Sequence, residues 1–233
     1  MALLADRSRF EAVLAVGGTW IAFVVAVCLA LKQPPDPAQI AIGAGVGALF
    51  VLVGFAATSR CRDHPRRAGG SRVKRAALAV SAGAALGLAL LSALGVLAAF
   101  EPQLRARFAG RLGEPAWRPW ALAFESSLLE EVTFRLAAMG IIAWLAGRAL
   151  GRPRAAFRVA LGASALLFGL AHVPAWLAVA HGSVLLIGGV LLLNGVGGLL
   201  LGWIFWRWGL PYAILCHLAG DVVVQGLGPR LLS

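Results

Sequence analysis

Charged side chains are scarce in this sequence. Asp, Glu, Lys and Arg together make up 13% of its 233 residues, whereas 60% of the residues are hydrophobic. A soluble domain carries about 25% charged residues, so a water-soluble globular protein and a disordered chain are both excluded. Long apolar segments can cross a bilayer only in structures that satisfy every backbone polar group internally. The composition therefore predicts an all-α protein, a polytopic transmembrane helical bundle.

Cysteine and acidic residues are scarce as well. The three cysteines, Cys28, Cys61 and Cys216, lie far apart and form no Cys-x-x-Cys pair, which excludes a disulfide scaffold and a cysteine-based metal site. Basic residues outnumber acidic residues by 21 to 10, for a net charge of +11. Because the arginines cluster between apolar segments, we interpret them as cytoplasmic loops and predict no nucleic-acid partner.

Apolar segments long enough to cross a bilayer, which takes about 20 residues, recur along the whole chain. The fifth of these segments is predicted to stop at Pro174. Residues 176–206 are predicted to form either one tilted span, or a short re-entrant piece that is broken at Gly182 and followed by a span from Val184. These seven or eight segments form one integral membrane domain, residues 1–233, with three N-terminal spans in residues 1–100. The other predicted spans are residues 12–31, 40–58, 76–100, 120–147, 159–172 and 211–227.

The basic stretches predict an orientation in the membrane. Residues 60–75, residues 148–158 and Arg207 are rich in positive charge and should lie on the cytoplasmic side. The connector of residues 101–118 carries four arginines and runs against this pattern. We expect an integral protein of the bacterial inner membrane with its N-terminus in the cytoplasm.

Ionisable residues interrupt three of the apolar segments. A charged side chain at the bilayer centre costs about 2.5–3.5 kcal/mol even on a lenient scale. These residues should therefore face a protein interior or a water-filled cavity, and such positions mark functional sites. They are Glu130, Glu131 and Arg135 in the fourth span, His172 in the fifth, and His217 and Asp221 in the last.

The spacing of these residues defines three helix faces. Side chains four residues apart lie on the same face of a helix. Glu130 is rotated by about 100° from its neighbour Glu131 and is available to another partner. Because bundle packing can bring polar faces to a common point, we expect one shared site. Three pairs have the four-residue spacing: Glu131 and Arg135, Phe168 and His172, His217 and Asp221.

Together these patterns resemble the CPBP family of intramembrane endopeptidases, which includes the type II CAAX prenyl proteases and the bacteriocin-processing proteins. The family pattern is Glu-Glu-x-x-x-Arg, then Phe-x-x-x-His, then His-x-x-x-Asn or Asp, each on its own helix, and residues 119–227 match it in order. Leu136 stands where the family often has glycine, and Asp221 stands where asparagine is frequent. The resemblance implies hydrolysis of a peptide bond by a glutamate-activated water, without an acyl-enzyme.

The resemblance also implies a role for each matching residue. We expect Glu130 to act as the general base, with His172 holding the attacking water. His217 and Asp221 should stabilise the tetrahedral oxyanion. Asp221 would do so either directly, when protonated, or indirectly, by fixing the tautomer of His217.

The remaining predicted residues support this set. Glu131 is counted with the catalytic residues, Arg135 should neutralise it, and Phe168 has a supporting role. We interpret Glu125 as an acid at the membrane interface. Serine and cysteine hydrolases are disfavoured because the sequence has no Gly-x-Ser-x-Gly motif and Cys216 has no general base at a recognisable spacing.

The orientation predicts the kind of substrate. The site should open towards the outer half of the membrane, which suits a membrane-anchored or C-terminally tagged exported protein, as in the sorting-type, myxosortase-like branch of the family. The expected partners are this substrate and the lipid bilayer, without a cofactor. Three alternatives stay open: a proton-coupled transporter, a non-catalytic membrane scaffold of the same fold, and a zinc protease, although the sequence has no His-Glu-x-x-His motif.

Overall fold

The computed structural model describes residues 37–61, 71–180 and 183–233, which are helical and contain no β-strand. The predicted first span, most of the basic loop after residue 61, and His181 and Gly182 lie outside these residues. Helix α4 is continuous over residues 118–150 and contains a π-helical segment, Glu131–Met139, between α-helical parts Arg118–Glu130 and Gly140–Leu150. The other helices are α1 (Pro37–Thr58), α2 (Arg72–Phe100), α3 (Pro102–Ala109), α5 (Pro153–Ala180), α6 (Val184–Trp208) and α7 (Leu210–Leu231).

The exterior of this bundle is apolar, while its interior contains charge. Exposed side chains on α2 and α6 include Leu88 and Leu192, whereas Glu131 and Arg135 are fully buried. Helices α2, α6 and α7 and residues Pro153–Leu177 of α5 are each long and apolar enough to cross a membrane. This distribution is the reverse of that in a soluble protein and confirms an all-α integral membrane protein.

Glycines allow two pairs of helices to approach closely. A Cβ atom at Gly83 of α2 would lie 1.9 Å from the Cys216 carbonyl oxygen of α7, so the two backbones are in direct contact. Between α5 and α6, a Cβ atom at Gly198 would lie 3.0 Å from the Cα of Ala165. Small residues permit this kind of helix contact in membranes. The α2–α7 contact fixes the position of α7, which carries His217.

Helix α4 lies between α5 and α7 and also contacts α1. The sequence predicted an uninterrupted α-helix here, but residues Glu131–Met139 are π-helical, with backbone hydrogen bonds from i to i+5. Within the π-helical segment the Phe134 carbonyl accepts a hydrogen bond of 2.7 Å from Ser164 Oγ of α5. Such segments are frequent at functional sites, and this one contains the buried Glu131 and Arg135.

Two predicted boundaries change around Pro174. The predicted stop at this residue is wrong, because α5 continues to Ala180. A proline removes one backbone hydrogen bond, and membrane helices tolerate this loss. Residues 176–180 are therefore the end of α5 rather than a re-entrant piece. The predicted span from Val184 is confirmed as α6, with Ser183 at its N-cap accepting a hydrogen bond from the Leu186 N–H.

Candidate active site

Helices α4, α5 and α7 bring four of the predicted side chains to one point. Glu130 Oε2 of α4 lies 3.8 Å from His172 Nε2 of α5 and 3.7 Å from His217 Nε2 of α7. His217 Nε2 also lies 3.7 Å from Asp221 Oδ1, one turn later on α7. Two imidazoles and two carboxylates, contributed by three helices, therefore surround a common space.

Glu131 contacts His217 from the opposite side. His217 Nδ1 donates a hydrogen bond of 2.9 Å to Glu131 Oε1, and Arg135 Nη1 lies 3.3 Å from the same oxygen. Because a carboxylate only accepts hydrogen bonds, this contact sets the proton on Nδ1. The sequence had suggested Asp221 as the residue that fixes this tautomer, but Glu131 occupies that position and Asp221 faces the other ring nitrogen.

His172 is oriented by its own helix. Its Nδ1 lies 2.8 Å from the Phe168 carbonyl oxygen, one turn earlier on α5. A carbonyl oxygen only accepts hydrogen bonds, so Nδ1 carries the proton. In the neutral ring the Nε2 lone pair is then directed towards Glu130, whose Oε2 is buried and has no hydrogen-bond partner in the described part of the chain.

Phe168 forms one wall of this site. The Arg135 guanidinium carbon lies 4.1 Å from the centroid of the Phe168 ring, a cation–π contact. The rings of His172 and His217 meet the same ring edge-on, at centroid distances of 4.7 and 5.9 Å. Phe168 therefore holds Arg135 and both histidines, which accounts for its place in the Phe-x-x-x-His pattern.

Two residues of the site were missed by the sequence analysis. Asp221 Oδ2 accepts hydrogen bonds from Ser126 Oγ of α4 and, at 3.3 Å, from Gln225 Nε2 of α7. The four-residue spacing could have found both, since Gln225 follows Asp221 by one turn and Ser126 precedes Glu130 by one turn.

A cavity of about 930 Å³ extends from the site to the end of the bundle formed by α3 and the start of α4. Glu125 lines this cavity, so its face of α4 is turned towards the bundle interior, and its position at the membrane interface stays a prediction. Arginines of the 101–118 connector line the cavity as well. The site residues among its walls are Glu130, Phe168, His172, His217, Asp221, Ser126 and Gln225.

This arrangement lies within a segment that matches a known family. Residues 112–223 match the model described as type II CAAX prenyl endopeptidase Rce1-like. This segment is therefore similar to the Rce1-like family, which confirms the predicted CPBP resemblance. The matched range contains all three motifs. Searches of curated proteins and of solved structures found no significant match.

The match supports a membrane protease of the CAAX type that acts on a protein substrate. The match does not distinguish the sorting-type branch. In the described ranges of this Rce1-like protein, no group of three or more His, Cys, Asp or Glu side chains could hold a metal ion.

Proposed function

We propose that this Rce1-like protein hydrolyses a peptide bond in a membrane-anchored protein, using a water activated by Glu130. The observation that carries the proposal is the arrangement of Glu130 Oε2, which is buried, lacks a hydrogen-bond partner among the described residues and faces two imidazole Nε2 atoms at 3.7 and 3.8 Å. These distances are too long for direct hydrogen bonds and suit one water oxygen held between the three groups.

Glu130 serves first as base and then as acid in this mechanism. It accepts one proton of the water while the water oxygen attacks the carbonyl carbon of the substrate. His172 Nε2 accepts a hydrogen bond from the other water hydrogen and so orients the attacking lone pair. When the tetrahedral intermediate collapses, the C–N bond breaks and Glu130 returns its proton to the leaving amine. No covalent intermediate with the enzyme forms.

His217 is the group best placed to stabilise the oxyanion. Its Nδ1–H is engaged by Glu131, and its Nε2 faces the cavity between the carboxylates of Glu130 and Asp221. We infer that it acts as the imidazolium, whose Nε2–H donates to the developing negative charge. Asp221, which accepts from Ser126 and Gln225, acts through the charge of His217 rather than as a hydrogen-bond donor.

We propose that the cavity opens towards the outside of the cell. The opposite end of the bundle carries basic residues and, among the residues described, no acidic ones. Under the positive-inside rule that end is cytoplasmic, so the substrate enters from the outer half of the membrane. This topology favours an exported protein with a membrane-embedded C-terminal tag. The basic residues are Arg60, Arg72, Lys74, Arg75, Arg148, Arg152, Arg154, Arg158 and Arg207.

Cysteine labelling of intact cells tests this orientation. Cys61 lies after α1 at the proposed cytoplasmic end, and Leu112, which is 52% exposed, lies at the other end. We expect a membrane-impermeant maleimide to label Leu112→Cys in intact cells and Cys61 only after permeabilisation. Burial raises the pKa of the Cys61 thiol, so labelling is compared at alkaline pH, where the thiolate reacts. Labelling of Cys61 in intact cells would reverse the orientation.

The proposed reaction is tested by replacing Glu130. Wild type, Glu130→Gln and Glu125→Gln are expressed in source cells that lack the native gene, and the termini of their membrane and exported proteins are compared by mass spectrometry. Glu125→Gln is the matched control, because it removes the same charge from the same helix and cavity without touching the two histidines. Loss of a general base lowers the rate by about 10²–10⁴-fold.

We expect new termini in wild type and Glu125→Gln cells and unprocessed protein in Glu130→Gln cells. Equal amounts of the three proteins in the membrane establish that folding is intact. If Glu130→Gln accumulates normally and every processing event persists, the protein is not a protease that acts through Glu130.

A further inference from the structure

The part of the cavity nearest the end of the bundle is basic. It is lined by Arg107 of α3, by Arg111 in the turn that follows, and by Arg118 at the start of α4. Glu114 lies between them, 3.3 Å from Arg111 Nε and 3.4 Å from Arg118 Nη1. The guanidinium groups of Arg111 and Arg118 share this one carboxylate. We call this set of four residues the basic mouth, and its net charge is positive.

One arginine of the basic mouth has a donor available to a further anion. Arg111 Nη2 is buried and has no hydrogen-bond partner among the residues described, and an unpaired buried cationic nitrogen is costly unless an acceptor reaches it. The Arg107 guanidinium stacks 4.4 Å from the ring centroid of Trp176, which also lines the cavity. Stacking holds the group in place while its donors lie in its own plane.

The basic mouth and Glu130 lie in the same cavity, at a separation that a peptide can bridge. Residues 118 and 130 of α4 are about 18 Å apart along the helix axis, at 1.5 Å per residue. An extended peptide rises about 3.3 Å per residue. A substrate whose scissile bond lies at Glu130 therefore places a side chain roughly five residues away among the three arginines.

We propose that the basic mouth is a substrate subsite that selects an acidic side chain, Asp or Glu, about five residues from the scissile bond. Arginine binds carboxylates through paired charge-assisted hydrogen bonds, which fits the unpaired nitrogen of Arg111. The occupant is the peptide rather than a lipid headgroup, because the arginines line the same cavity as the catalytic cluster. This inference rests on the proposed function.

A library of amidated peptides tests the subsite. Each peptide carries a hydrophobic anchor and a randomised segment, and it is presented to the purified protein in phosphatidylcholine liposomes. We expect the cleaved peptides to be enriched in Asp and Glu at four to six residues from the cut. Two versions of one such peptide, with Glu or Gln at this position, should differ about tenfold in kcat/KM in favour of Glu. This preference for Glu should weaken at high salt.

Variants of the basic mouth then identify the residues responsible. Arg111→Gln and Arg118→Gln should bring the ratio of kcat/KM for the Glu peptide to kcat/KM for the Gln peptide close to one. Because both peptides are measured with the same variant, this Glu-to-Gln ratio does not depend on the amount of folded protein. Arg230→Gln is the matched control: it removes an exposed arginine at the same end of the bundle that does not line the cavity, and it should keep the wild-type ratio.

The outcomes separate this inference from the proposed function. If wild type cleaves no peptide, or if Glu130→Gln cleaves as well as wild type, the proposed function fails. If Glu130 is required but acidic residues are not preferred, or if the arginine variants keep the preference, the subsite alone is refuted. The subsite is also refuted, in favour of lipid binding, if the arginine variants differ from wild type in their response to added phosphatidylglycerol but keep the wild-type Glu-to-Gln ratio.

Discussion

Replacing Gly83 by alanine perturbs the helix contact that positions His217. The added Cβ would lie 1.9 Å from the Cys216 carbonyl oxygen, whereas an ordinary contact is 3.4–4 Å. The obstructing atom belongs to the backbone, so no rotamer change relieves the clash. Because the interior of a protein is close-packed, α2 and α7 must separate locally by about 1.5 Å.

A separation of this size should affect both stability and catalysis. Overpacking a buried contact costs about 1–3 kcal/mol, which lowers the melting temperature. The shift of α7 also moves His217 relative to Glu130 and His172, and a misplacement of about 1 Å can cost about 10²-fold in rate. We therefore expect Gly83→Ala to lower kcat by about 100-fold while the protein still inserts into the membrane.

The measurements are thermal unfolding of the purified protein in detergent and cleavage of a peptide identified from the library. Gly162→Ala is the matched control, since a Cβ at that position of α5 meets no heavy atom within 4 Å. We expect it to retain wild-type stability and rate. Equal melting temperatures and equal rates for the two variants would refute the close approach of α2 and α7.

Three further predictions concern the site. Arg135→Ala removes the arginine paired with the buried Glu131 and leaves it only the His217 hydrogen bond, which should cost about 3–5 kcal/mol, measured by thermal unfolding; a loss no larger than that of an ordinary surface substitution would contradict the buried pair. Ser126→Ala removes a donor to the Asp221 carboxylate and should lower kcat about tenfold with KM nearly unchanged, because a hydrogen bond to a charged group is worth about 1.5 kcal/mol; an effect on KM alone would argue against positioning of Asp221. Incubation with a chelator should leave the cleavage rate unchanged, and inactivation that zinc reverses would favour the zinc alternative.

The polar faces of the site were predictable because they follow from local geometry. Glu131 with Arg135 and His217 with Asp221 are each one turn apart, and the helix period alone places such pairs on one face. The bond between Glu131 and His217 was not predictable in this way, since these residues are 86 positions apart. Its formation depends on the rotation and depth of α7 relative to α4, which are set by packing.

The other features that the sequence did not predict also depend on packing between helices. The sequence suggested that α5 ends at Pro174, but helix–helix contacts outweigh the loss of one hydrogen bond. The π-helical segment Glu131–Met139 leaves no local signal, because it reflects contacts such as that between Ser164 and the Phe134 carbonyl. The arginines of residues 101–118 ran against the charge pattern, and only the tertiary structure shows that three of them line the same cavity as Glu130.

Composition and helix periodicity depend only on each residue and its near neighbours, so they were enough to predict an all-α membrane protein with carboxylates and imidazoles on three apolar helices. Which atoms face each other follows from the packed bundle: Glu131 lies at Nδ1 of His217, Asp221 lies at its Nε2, and Glu130 lies between the two histidines. Contacts between helices are set by how closely their surfaces fit, as at Gly83, and this fit is a property of the assembled bundle.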